Sequence, residues 1–126
     1  MKKKIFLGRY LMFDAPILVY ADPGETSATG VFGKHHGVEV TLPLNHDCWS
    51  KVYRYALHEM VEVAFVLARL SYVPASTLHT NYHAADQYQF HMTHREFTVA
   101  MDHAGDAMAY LGPELFAAWK KTGAKK

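Results

Sequence analysis

YRYALHEMVEVAFVL, residues 53–67, is the stretch on which the reading of this chain turns. Ala56, Met60, Val63, Ala64 and Leu67 recur at helical spacing, and Trp49, Val52 and Tyr53 extend the pattern upstream, so a long helix is expected near residues 48–70 with Asn45 or Asp47 as its cap. His58, Glu59 and Glu62 interrupt the apolar pattern in mid-helix. Burying an unpaired ionisable group is costly, so these three are expected in a cleft or paired rather than on an open surface, the alternative being a plain solvated helix face. His58 and Glu62 are four apart and share one face a turn apart, with Glu59 on the rim of that face.

Working outward, the segment before this helix reads as strands. Residues 5–13 are apolar with a break at Gly8-Arg9, and Pro16 precedes the β-rich run 17–20, which stops at the turn signal Asp22-Pro23-Gly24. Residues 24–30 read as a loop and His35-His36 as an exposed hairpin tip. Val38 to Leu42 alternates in period two and ends at Pro43. After the helix, residues 75–86 read as a polar connection that keeps His79 and His83 from acting as a helical metal pair, and residues 87–92 as a last strand. Thr93-His94-Arg95-Glu96 is a capping box, so a second helix starts at His94. Phe97, Met101, Ala104, Met108 and Leu111 give it one apolar stripe before Gly112-Pro113 is expected to stop it, with a short turn beyond for Leu115, Phe116 and Trp119. The expected fold is α+β: one domain over residues 1–126, a small, largely antiparallel sheet packed against the long helix and a second helix.

Composition narrows the function classes. Half of the 126 residues are hydrophobic and 20% are charged, which suits a packed core and argues against intrinsic disorder. Thirteen basic residues nearly balance twelve acidic ones, and the lysines gather at the two ends, so solvated termini rather than nucleic-acid contact are expected. The basic, apolar start is broken by Gly8, Arg9 and Asp14 and reads neither as a signal peptide nor as a membrane span. With the single Cys48 this favours a reducing cytoplasm. A phosphate-binding glycine loop, a CxxC pair and a nucleophile elbow are all missing from the sequence.

HExxE at residues 58–62 is the motif that carries chemistry. In HExxH helices two histidines hold zinc while the intervening glutamate activates the metal-bound water, and a carboxylate oxygen in the second position is an acceptable zinc ligand. His58 and Glu62 are therefore the expected metal ligands. A third ligand comes first from His94, then His91, then His103 or Asp102. Tyr82 and Tyr88 are further candidates for stabilising an oxyanion.

Strands followed by a long helix bearing His58-Glu59-x-x-Glu62 resemble the core of zincin-like metallopeptidases. More loosely, LHEMVEVAFVL followed by FHMTHREF is similar to small phage-encoded proteins of that class; the likeness covers residues 38–111. It implies His58 and Glu62 as zinc ligands, Glu59 as general base and a peptide or protein substrate. Glu62 stands where most zincins carry histidine, which adds negative charge to the site. The alternative expectation is a non-catalytic phage-type interaction module or inhibitor on a degenerate zincin-like fold, binding a protein partner or a second copy of itself. Seventeen aromatic residues in a short chain favour that alternative.

Overall fold

The computed structural model describes residues 3–34, 36–68, 71–72, 89–90 and 92–122. Four strands come first, β1 (Ile5–Met12), β2 (Ala15–Asp22), β3 (Thr29–Lys34) and β4 (Gly37–Pro43), followed by helix α1 (Trp49–Leu67). The short strands β5 (Ser71–Tyr72) and β6 (Gln89–Phe90) pair antiparallel, and helix α2 (His94–Thr122) closes the order. The α+β expectation holds.

The main sheet runs β1-β2-β4-β3, with antiparallel pairs at both edges and a parallel pair, β2 with β4, in the centre. Register explains the burial. Ile17, Val19 and Ala21 lie beside Val38, Val40 and Leu42, and all six are buried in the one core cluster. Because strand side chains alternate, the residues between them, such as Leu18, Tyr20 and Glu39, point to the opposite face and are only half-buried. A bulge between Phe6 and Gly8 shifts the register of β1, so Phe6, Arg9 and Leu11 share that open face while Ile5, Tyr10 and Met12 turn inward. At Gly37 a side chain is impossible, because a Cβ would overlap the carbonyl oxygen of Pro16 in β2.

Both helices cover the inner face. Val52, Ala56, Met60, Val63 and Ala64 of α1 pack with Ala100, Ala104, Ala107, Met108, Leu111 and Leu115 of α2. Each fully buried aliphatic side chain of this cluster contributes about 1.5–3 kcal/mol. The helices run antiparallel: the rings of Trp49 and Phe116 meet at 4.9 Å at one end, and those of Phe65 and Phe97 at 6.0 Å at the other.

The expected capping box at the start of α2 is formed. Thr93 N–H donates to Glu96 Oε1 at 2.8 Å and Glu96 N–H donates to Thr93 Oγ1 at 3.1 Å. Four details differ from expectation. Cys48, extended at φ −140°, occupies the N-cap position of α1 without a side-chain bond, so Asn45 and Asp47 lie too early to cap it. Helix α1 ends at Leu67, and Arg69 and Leu70 lie outside the described residues. β3 is a strand where part of a loop was expected; every residue in it is exposed, so no burial alternation betrays it. Finally, α2 does not stop at Gly112-Pro113 but continues to Thr122. Leu115 and Trp119 beyond the proline are buried, and the Trp119 indole N–H donates to the His46 carbonyl at 3.0 Å, which together outweigh the lost helix bond.

Candidate metal centre and its groove

The core stripe of α1 lies on one side only, and the face carrying His58 and Glu62 points outward. Their side chains are 70% and 47% exposed, and His58 Nε2 lies 3.5 Å from Glu62 Oε1, one helical turn away. Glu59 sits deeper, with its carboxylate against β3: a Cβ built on Gly30 would come within 3.3 Å of Glu59 Oε1. Ligand atoms of His58, Glu59 and Glu62 all lie within 4.8 Å of one another. His58 and Glu62 thus pair with each other on a largely solvated face, and Glu59, without a hydrogen bond or ion pair among the described residues, is half-buried beside them at the groove.

That groove has a volume of about 780 Å³ and runs along α1. Ser27 and Ala28, from the loop between β2 and β3, form one wall; Arg54, Leu57, His58, Val61, Glu62 and Phe65 form the other. His46 holds the loop in place. Its Nε2 makes a 2.8 Å hydrogen bond with the Thr26 carbonyl, donating in that tautomer, while its ring stacks on Tyr55 of α1 at 5.1 Å. Burial first, then the neighbouring Glu62 carboxylate, raises the pKa of Glu59; His58 works in the opposite direction. The three donors could together hold a metal ion. Two ligands at about 2.0–2.2 Å from a tetrahedral ion stand about 3.3–3.6 Å apart, which the His58–Glu62 separation of 3.5 Å matches.

None of the other described candidates belongs to this group of three. His94 is the exposed first residue of α2 and is not in the group of three. The antiparallel helices bring that end of α2 beside Phe65, past Glu62 along α1. The His103 ring packs on Phe13 in the β1–β2 turn at 4.0 Å, and Asp102 is exposed. His91, His79, His83, Tyr82 and Tyr88 lie outside the described residues, as does His35; His36 is exposed at the β3–β4 tip with φ 63°. Sequence reasoning missed His46, Ser27 and Arg54. Arg54 was the legible one, since it precedes His58 by four and continues the ladder on the same face.

No helix among the described residues is long and apolar enough to cross a membrane. Comparison with known proteins returned no matching family model, no matching curated protein and no matching solved structure. His58, Glu59 and Glu62 are the one group among the described residues that could hold a metal ion, and none of these comparisons supports a link to the zincins.

Proposed function

We propose that this chain is a metal-dependent hydrolase of peptidase type, with zinc on His58 and Glu62 and Glu59 as general base. The observation that carries the reading is the 3.5 Å spacing of His58 Nε2 and Glu62 Oε1 beside a third, half-buried carboxylate in a groove. Bound zinc supplies Lewis acidity toward a substrate carbonyl and lowers the pKa of a coordinated water. With a metal held by His58 and Glu62, Glu59 beside them would be the residue placed to take up a proton and return it to the leaving amine. His58 and Glu62 hold the centre on the rigid helix. His94 is the further donor of this reading, and metal binding that survives His94→Ala removes it from the ligand set.

Elemental analysis of untagged protein tests the proposal. One zinc per chain is expected, lost in His58→Ala and retained in Glu59→Gln, with peptide cleavage abolished in both. Wild-type protein that takes up no metal after dialysis against zinc overturns the reading. A second reading, a non-catalytic interaction module, draws support from the open sheet face, where Phe6, Leu11 and Val31 are all exposed. Light scattering with size-exclusion chromatography decides it: a monomer over the whole concentration range that binds no partner protein removes self-association and docking together.

A further inference from the structure

Arg54, His58 and Glu62 form a ladder at four-residue spacing along one face of α1, and all three line the groove. The two ends of that ladder differ in charge. Glu59 and Glu62 make one end anionic, while Arg54 is the one arginine or lysine among the described residues lining the groove. Arg54 is exposed and has no hydrogen bond or ion pair with another of the described residues. Some cations are paired, Lys4 and Lys34 lying 3.5 and 3.6 Å from Glu39 and Lys51 3.9 Å from Asp47, while Arg9 and Arg95, like Arg54, have no ion pair among the described residues; Arg54 differs from those two in lining the groove. A guanidinium left open in a concave site is a fork of donors matched to a carboxylate.

We propose that Arg54 is the carboxylate-recognising residue of this groove, and that the ligand is a peptide bearing an anionic group within about two residues of the bond presented to His58 and Glu62. The peptide class rests on the peptidase reading above; the carboxylate preference rests on Arg54 and the groove. Four helical residues rise about 6 Å, close to the span of two extended peptide residues at about 3.3–3.6 Å each. Leu57, Val61 and Phe65 form a second ladder beside the first, offering an apolar strip to the ligand side chain between the two anchors. The carboxylate has two sources, a free chain terminus or an Asp or Glu side chain, and Arg54 engages the same two oxygens in either.

Isothermal titration calorimetry on the full chain separates them, run on metal-free and on zinc-treated protein. The probes are acetyl-Gly-Leu-Glu-amide, its Gln counterpart, and acetyl-Gly-Leu-Ala with a free or an amidated terminus. At least tenfold tighter binding of one charged peptide than of its neutral twin is expected, and the pair that shows it identifies the source. Arg54→Gln is expected to erase that difference while leaving the neutral peptides, zinc stoichiometry and helical circular dichroism unchanged. Equal affinity within both pairs, no binding of any peptide at millimolar concentration, or a preference that persists in Arg54→Gln overturns the proposal. A chain that takes no zinc yet keeps the Arg54-dependent preference overturns only the metal reading.

Discussion

Helix α2 passes through Pro113, and replacing that residue measures whether the passage is real. Proline in a helix interior lacks the N–H that would donate to the carbonyl four residues back, here Ala109, and its ring crowds that carbonyl, at a cost of about 3 kcal/mol relative to alanine. Pro113 is exposed, so Pro113→Ala empties no core space. Against the gain, alanine leaves the unfolded chain freer by about 0.4–1 kcal/mol. The net expectation is a stabilisation of about 2 kcal/mol. For a chain of this length that corresponds to a rise in Tm of roughly 6–10 °C. Urea denaturation followed by far-ultraviolet circular dichroism gives the number, with an unchanged m-value showing that the unfolded state is comparable. A variant no more stable than wild type, or less stable, refutes the reasoning and shows that the helix breaks before Pro113.

Gly37→Ala is expected to destabilise by more than about 2 kcal/mol in the same assay, because its methyl would overlap the Pro16 carbonyl and push β2 from β4; wild-type stability would show that the strands part without cost. Tyr10 has its pKa raised by burial and then by Glu114, so the folded state holds its proton more tightly than the unfolded one. That contribution is whole below the unfolded value of about 10 and is lost as pH rises through the folded value. Thermal melts in alkaline buffers are accordingly expected to fall more steeply for wild type than for Tyr10→Phe, and parallel curves would exclude this origin. Trp119→Phe removes the indole donor to the His46 carbonyl and is expected to cost about 1–2 kcal/mol, as measured by urea midpoint.

Where burial alternated with strand or helix period, the fold was legible. Ile17, Val19, Val38 and Val40 announced the central strands, Met60 and Val63 the inner stripe of α1, and Thr93 with Glu96 the start of α2. β3 left no such mark, because an edge strand exposed along its whole length is recognised by its backbone partner alone. Pro113 misled for the opposite reason: the local penalty was plain, whereas the burial of Leu115 and Trp119 that overrides it is tertiary. At the candidate site the spacing of His58 and Glu62 was readable from helical geometry. Glu59's place against Gly30 was not, since residues 24–30 read as a loop and the contact joins an edge strand to a helix far along the chain.

His46 sits at a junction of two distant parts of the chain, taking the Trp119 indole on its carbonyl while its ring grips Thr26 and lies flat on Tyr55. Trimming the protein at its carboxyl side would unseat the tryptophan, free residue 46 to swing, and let the wall carrying Ser27 drift outward. Shortening past residue 119 would therefore take a buried indole out of the core and, in the same cut, the donor that steadies the groove's wall.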